Sequence, residues 1–148
     1  MYSISQIQQL IKESGLKATH QRIVIFKALA DSTLHPTIDW LFERVKESYP
    51  SISLATVYKT METFVEHGVV KRVKCEDGKN RFDANMEPHN HMYCESTGRI
   101  FDFKDMDLQT LVEEYLSSKQ LENFEVSEVQ LQINGRVLDP DKPVQYKI

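Results

Sequence analysis

The chain has 148 residues and a formal net charge of −4, which suits one ordinary domain or two small ones. Residues 1–83 carry 12 Lys and Arg against 10 Asp and Glu, whereas residues 84–148 carry 6 against 12, so two domains with different partners are expected. The weak positive charge of the first part excludes indiscriminate nucleic-acid binding. Because the chain has no apolar run of membrane-spanning length, no signal peptide and no cysteine framework, we expect a cytoplasmic protein without a membrane partner.

Three helices are predicted before Pro50. Apolar residues have helical spacing over 4–13, and the same spacing recurs in two later segments. Thr19 is a suitable N-cap for the second helix and Thr37 for the third, which ends at Pro50. His35 therefore lies in a short loop between two helices, where a histidine is most often simply exposed.

A fourth helix is predicted over residues 53–67, with Ser53 as its N-cap and Gly68 at its end. Its apolar stripe consists of Val57, Met61, Phe64 and Val65. Its opposite face presents hydroxyl groups and one amine, with a phenol ring close by: Thr56, Tyr58, Lys59, Thr60 and Thr63. Such a face suits a recognition helix in the major groove of DNA, although an ordinary amphipathic surface helix has the same spacing.

A basic hairpin follows this helix. Residues 69–73 and 80–83 read as two strands joined by the Asp77-Gly78 turn. Helices followed by such a hairpin are typical of a winged helix-turn-helix domain, which binds double-stranded DNA. The candidate DNA contacts are Lys17, Arg22, Ser53, Thr56, Tyr58, Lys59 and Arg72, with Lys71, Lys79 and Arg81 as further candidates in the wing; solvated surface charge explains Lys17 and Arg22 equally well.

The predicted fold class is α+β, with an N-terminal winged helix-turn-helix domain over residues 1–83 and a small α/β dimerisation domain over residues 89–137. Residues 84–88 are expected to form a hinge and residues 138–148 a C-terminal tail. The second domain is predicted to contain strands 89–94, 99–103 and 124–133 and a helix from about 106 to 118. Because so short a segment makes a thin core, we expect it to be stabilised by dimerisation.

Three residues of the second domain are candidate metal ligands. His89 and His91 alternate along a predicted strand and therefore point to the same face. Asp102, on the next strand, can reach that face, and two imidazoles with a carboxylate suit a divalent transition metal. Taken alone, this spacing is more often a pair of surface histidines.

Six blocks of sequence, in the same order, resemble the ferric uptake regulator superfamily and, within it, the peroxide-sensing branch. The resemblance covers about residues 5–133. The blocks are Leu16-Lys17-Ala18-Thr19-His20-Gln21-Arg22, His35-Pro36, Ser53-Leu54-Ala55-Thr56-Val57-Tyr58-Lys59, Arg81-Phe82-Asp83, His89-Asn90-His91-Met92-Tyr93-Cys94 and Gly98-Arg99-Ile100-Phe101-Asp102-Phe103.

The resemblance implies a homodimeric, metal-dependent transcriptional repressor of a palindromic operator, and not an enzyme. Carried over residue by residue, the regulatory metal ligands of the family fall on His35, Asp83, His89, His91 and Asp102. This donor set lacks a thiolate and favours Fe(II) or Mn(II), one ion per subunit, although Zn(II) can occupy such a site in vitro. Metal binding would then favour a closed dimer with two recognition helices at the spacing of operator half-sites.

Asp102 resembles the peroxide-sensing branch, because the iron sensors of the family usually carry Glu there. In that branch bound Fe(II) reacts with hydrogen peroxide, a ligand histidine is oxidised and operator DNA is released. By resemblance the oxidised residues are His35 and His89. The alternative is a repressor of the same fold that responds to iron or manganese availability.

The chain departs from many family members at the cysteines that bind structural zinc. Cys94 is present, but Thr97 stands where its partner is expected, the second cysteine pair is missing and Cys75 lies in the wing. We therefore predict no structural zinc site, and a role for Cys94 as a small buried residue. A third metal site of the family is also expected to be absent, because Pro88 and Asn90 replace its ligands.

Two other classes of function fit the residues less well. A metallohydrolase would need an open coordination position, a general base and a substrate pocket, and the winged helix would go unused. A winged-helix regulator without metal would leave five matched ligand positions unexplained.

Lys59 of the predicted recognition helix differs from the residue at this position in several relatives, so the operator sequence stays open.

Overall fold

The computed structural model describes residues 2–32, 34–75, 77–87 and 89–145. The chain forms two compact units, an N-terminal unit, Met1–Met86, and a C-terminal unit, Glu87–Ile148. The boundary between the units falls within the predicted hinge 84–88. Pro88 of that hinge and residues 146–148 of the predicted tail lie outside the described residues.

The N-terminal unit begins with four helices, whose starts follow from their capping residues. The helices are α1 (Ile4–Glu13), α2 (His20–Ala30), α3 (Ile38–Ser48) and α4 (Leu54–Glu66). Thr19, Thr37 and Ser53 cap α2, α3 and α4 through their side-chain oxygens, each of which accepts a backbone N–H of the first turn, as the sequence predicts. The helix α4 ends before Gly68, whose φ of +66° is readily adopted only by a residue without a Cβ.

A two-stranded wing completes this unit. The strands β1 (Lys71–Lys74) and β2 (Asn80–Asp83) pair antiparallel, with Lys71 opposite Asp83 and Lys74 opposite Asn80. Gly78, with a φ of +72°, occupies the turn between them. The predicted hairpin is therefore present, with its first strand beginning at residue 71.

The core of the N-terminal unit lies among the four helices and the base of the wing. Its fully buried side chains include Ile7, Ile11, Ile25, Phe26, Leu41, Val57, Met61, Phe64 and Phe82. Thr60, which the sequence placed on the exposed face of α4, is buried here. The reason is helical geometry, because Thr60 lies three residues after Val57 and four before Phe64, on the face that packs into the core.

The C-terminal unit contains a small mixed sheet and one helix. Its elements are β3 (Asn90–Cys94), β4 (Ile100–Phe103), α5 (Met106–Ser118) and β5 (Gln132–Gly135), and the strand order is β4-β3-β5. The strands β3 and β4 pair antiparallel, whereas β3 and β5 pair parallel.

Within the described part of the chain, no helix has both the length and the hydropathy needed to cross a membrane.

The predicted strand over 124–133 is wrong for most of its length, because β5 spans only Gln132–Gly135. The strand β3 begins at Asn90, and its pairing with β5 begins with His91 opposite Gln132. The Leu131 N–H is already held by the side-chain oxygen of Asn90 at 3.1 Å. Residues 124–130 therefore lie before the first rung of this ladder, and their apolar alternation does not make a strand.

Candidate metal and DNA-binding site

The N-terminal unit brings His35 and Asp83 together. His35 lies in the loop between α2 and α3, and Asp83 is the last residue of β2. The distance from His35 Nε2 to Asp83 Oδ2 is 3.3 Å, and both side chains are more than nine-tenths buried. A buried carboxylate is costly unless it is neutralised, so this His35–Asp83 pair is a place where a cation or a proton is favoured.

The strand β2 holds the loop that carries His35. The Phe82 N–H donates a hydrogen bond to the Pro36 carbonyl at 3.1 Å. The Arg81 Nη1 donates to the His35 carbonyl at 3.4 Å, and the Arg81 Nη2 lies 3.2 Å from Asp77 Oδ2 in the wing turn. Arg81, a sequence candidate for DNA contact, therefore connects the wing turn to the loop of the His35–Asp83 pair.

The C-terminal unit brings His89, His91 and Asp102 together. Asp102 of β4 lies directly opposite His91 of β3, and the rings of His89 and His91 are 4.6 Å apart between centroids. The distance from His89 Nε2 to Asp102 Oδ1 is 3.5 Å, and one ligand atom from each of these three residues lies within 4.8 Å of the others. Both imidazoles are buried, whereas Asp102 is half exposed on its side chain.

A backbone contact orients His89. Its Nδ1 lies 2.7 Å from the Glu87 carbonyl, and a ring nitrogen at that distance from a carbonyl acts as the donor. The proton is then on Nδ1, and Nε2, on the side of Asp102, is the ring nitrogen that a metal would bind. Metal-bound histidines are commonly held in this way by a second hydrogen bond.

The chemistry of the two groups fits a divalent transition metal. The His35–Asp83 pair and the His89–His91–Asp102 triad each combine imidazole nitrogen with carboxylate oxygen. Imidazole suits zinc and iron, and carboxylate oxygen suits manganese as well, so this donor set accepts several ions.

The two cysteines are both free and differ in environment. The Cys94 Sγ is 3.2 Å from the Ser96 hydroxyl, and hydrogen bonds from Ser96, Thr97 and the Val137 backbone lower the Cys94 pKa to about 6. Burial raises the pKa of Cys75, in the N-terminal unit, above its usual range. Hydroxyl and amide groups thus contact the Cys94 sulfur.

The candidate DNA contacts on α4 lie toward its N-terminal end, with Thr56 only partly exposed. Ser53 and Thr56 share a hydrogen bond of 2.8 Å between their hydroxyls, and Tyr58 and Lys59 are exposed on the next turn. Near the start of α2, Lys17 is exposed and its carbonyl accepts a 2.8 Å hydrogen bond from the guanidinium of Arg22. Their polar groups lie at or near the start of a helix, where binding of a phosphate group is favourable.

Arg72, the last candidate, has a protein partner. Its Nη2 contacts both carboxylate oxygens of Glu62 on α4, at 2.6 and 2.7 Å. The sequence did not single out Glu62, because helical spacing relates residues three or four apart and does not relate a helix to the strand that follows it. The pairing is visible only once β1 is placed beside α4.

The sequence profile of the ferric uptake regulator family matches residues 13–134. The chain belongs to the ferric uptake regulator family. The chain is 34% identical to the peroxide operon regulator of Bacillus subtilis (strain 168) over 134 residues, which are 90% of each protein. It is 33% identical to the peroxide-responsive repressor PerR of Staphylococcus aureus (strain Mu50 / ATCC 700699) over 125 residues, 84% of this chain and 82% of that protein.

Solved structures of the family are similar to the whole fold. A zinc-bound manganese uptake regulator, 29% identical, aligns with a TM-score of 0.73 over 89% of this chain and 98% of its own. The Campylobacter jejuni peroxide stress regulator, 28% identical, aligns with a TM-score of 0.69 over 95% and 99%. The predicted α+β fold, with an N-terminal DNA-binding domain and a C-terminal dimerisation domain, is confirmed. This family member is a metal-responsive transcriptional regulator.

Proposed function

We propose that this family member is a homodimeric repressor that binds a palindromic operator when metal is bound and releases it on exposure to hydrogen peroxide. The observation that carries the proposal is the gathering of three buried imidazoles and two carboxylates into the His35–Asp83 pair and the His89–His91–Asp102 triad. The names of the two peroxide regulators to which the chain is about one-third identical support the choice of signal.

We infer that one Fe(II) or Mn(II) ion per subunit is held by all five residues. The His35–Asp83 pair belongs to the DNA-binding unit and the triad to the other unit, so an ion that needs both would favour one arrangement of the two. A shift of such an equilibrium from 1:99 to 99:1 requires about 5.5 kcal/mol of differential affinity. Several metal–ligand bonds can supply that energy, whereas a loss of one ligand would reverse part of it.

Oxidation of His35 or His89 would remove such a ligand. Bound Fe(II) would supply the electron that activates peroxide, whereas Mn(II) would bind without this reactivity. In the net change one oxygen atom enters the imidazole ring and one molecule of water is formed from the remainder of the peroxide. Both rings are buried, which favours reaction with a small oxidant such as peroxide over a larger one.

The exposed apolar residues of the C-terminal unit support the proposed homodimer. No residue of α5 is buried, and Leu111, Tyr115 and Phe124 are each at least 60% exposed. Large apolar side chains gathered on one small unit are typical of a protein interface. A second copy of the unit would cover them and would place two α4 helices on one operator, as a palindrome requires.

The test of the peroxide step is a mass measurement. The protein is loaded anaerobically with Fe(II) or Mn(II), treated with near-stoichiometric hydrogen peroxide, and digested with trypsin. His35 is recovered in the peptide 28–44, and His89 and His91 in the peptide 82–99. The second peptide also contains Met86, Met92 and Cys94, so fragment ions must assign the added oxygen to a histidine.

We expect one added oxygen on His35 or His89 in the Fe(II) sample only. Asp102→Glu should keep metal-dependent DNA binding and reduce this oxidation. If neither histidine is oxidised while DNA binding still needs metal, the peroxide step is wrong. The protein is then a repressor that responds to iron or manganese availability, a second candidate that the likeness to a manganese uptake regulator favours.

A further inference from the structure

The contact between Glu62 and Arg72 joins the two elements that the winged helix presents to DNA. Glu62 is on the third turn of α4, and Arg72 is the second residue of β1. The Arg72 Nη2 lies 2.6 and 2.7 Å from the two carboxylate oxygens, and each side chain is about one-third exposed. Such short distances mark a charge-assisted hydrogen bond, and not a loose pair of surface charges.

The position of Glu62 makes this contact unusual. Glu62 follows Tyr58 by four residues and Lys59 by three, so it shares the exposed face of α4 with both. A carboxylate on that face repels DNA phosphates. The Arg72 guanidinium offsets that charge, and its Nη2, which donates to both carboxylate oxygens, is not available to a phosphate.

We propose that Glu62 is a positioning residue of the DNA-binding surface, which holds the side chain of Arg72 against α4 and withholds it from the DNA backbone. The proposal rests on the proposed DNA binding of this unit. It revises the role expected for Arg72 from its sequence, because Arg72 then fixes β1 beside α4 and does not neutralise a phosphate. The result is a lower affinity for DNA of any sequence, which leaves discrimination to the base contacts of α4.

Salt dependence separates this role from a phosphate contact. Each phosphate that a protein cation neutralises contributes about −0.9 to the slope of log K against log salt concentration. Glu62→Gln should free Arg72 for a phosphate, so it should strengthen binding to non-operator duplex and steepen the slope by about 0.9. A fourfold rise in salt concentration should then reduce the gain in affinity by a factor of about 3.5.

The other variants have distinct expected results. Arg72→Gln leaves the Glu62 carboxylate facing phosphates, so binding should weaken several-fold while the slope stays that of the unaltered protein. The double variant Glu62→Gln/Arg72→Gln removes both charges, and its affinity and slope should return close to those of the unaltered protein. Lys27→Gln and Asp31→Asn, which alter a 2.8 Å ion pair between α2 and its C-cap, are the matched controls.

The experiment measures binding of the full-length, Mn(II)-loaded protein to fluorescent operator and non-operator duplexes at several salt concentrations. A slope that falls by about 0.9 in Arg72→Gln when Glu62 is unaltered would make Arg72 a phosphate contact and overturn the proposal. An unchanged affinity and slope in Glu62→Gln would overturn it as well.

A second measurement needs no DNA. The urea midpoints of the two single variants should fall, and that of the double variant should fall by less than their sum, because the second change removes a group that has already lost its partner. Strictly additive midpoints would overturn the positioning role. If the unaltered protein binds no duplex with any metal, the proposed function is wrong. The urea midpoints of the variants still decide, without DNA, whether Glu62 holds Arg72.

Discussion

The two units of this chain bury their apolar residues to very different extents. In the N-terminal unit, four capped helices enclose side chains such as Phe26, Phe64 and Phe82 with no exposed surface. In the C-terminal unit, the helix α5 has no buried residue, and Phe124 is 69% exposed. The larger unit is complete in itself, whereas the smaller one presents the apolar residues that a partner would cover.

Because of this difference, the stability of the two units should depend on association to different extents. A closed core favours a single conformation of the unit that carries α4, the proposed DNA-contacting helix. A unit with a thin core gains stability from association, so its folding is linked to protein concentration. Changes in the two units should therefore be distinguishable by how their effects depend on concentration.

The largest expected effect is in the closed core. Phe64→Ala removes a fully buried ring that packs edge-on against Phe26 at 6.0 Å between centroids. We expect a loss of about 3–5 kcal/mol in the free energy of unfolding, measured by urea denaturation. The loss should be the same at all protein concentrations, and a loss that shrinks at high concentration would contradict a self-contained core.

The next effect is on association. Leu111→Ser and Tyr115→Ser each remove a large apolar group from the exposed face of α5. If either residue is central to the interface, its change should cost about 2 kcal/mol of association, roughly a 30-fold weaker dimer by sedimentation. The exposed Thr110→Ser on the same helix is the control, and a dimer unchanged in both serine variants would place the interface elsewhere.

Helix caps give a smaller and more local contrast. Thr37→Ala removes the N-cap of α3, and Asp105→Ala removes that of α5, where the carboxylate accepts two backbone N–H groups at 3.0 Å. Each change should cost about 1 kcal/mol. We expect Thr37→Ala to lower the unfolding midpoint of the protein, and Asp105→Ala to speed amide exchange mainly within α5.

The cysteines offer the smallest effect, which is a difference in titration. Thiolate absorbance should rise in two steps with increasing pH, the first near pH 6 from Cys94 and the second above the usual thiol range from Cys75. Cys94→Ser should remove the first step and Cys75→Ser the second. A single step at the ordinary thiol pKa would show that the hydroxyls of Ser96 and Thr97 do not stabilise the Cys94 thiolate.

Local patterns predicted the helices and their caps because Thr19, Thr37 and Ser53 act within one turn of their own position. The same patterns were wrong for 124–131, because a strand also needs a neighbour, and the ladder of β3 begins only opposite Gln132. For the same reason the partner of Arg72 could not be predicted, since nothing in the spacing places β1 beside Glu62.

The candidate metal residues illustrate the same limit. His91 and Asp102 lie on adjacent strands, so alternation and a hairpin turn are enough to bring them together. His35 and Asp83 are far apart in sequence, and their 3.3 Å approach depends on the packing of β2 against the loop after α2. Only the resemblance to a family pointed to that pair before the fold was known.

The central claim, that one ion held by both units controls DNA binding, is tested most directly by titrating Mn(II) into the protein with a fluorescent operator duplex. His35→Ala alters the N-terminal unit, His91→Ala alters the C-terminal unit, and His67→Ala, outside both groups, is the control. We predict that both ligand variants stay folded and dimeric but lose metal-dependent binding, while His67→Ala retains it. An unchanged metal response in either His35→Ala or His91→Ala would contradict the shared ion.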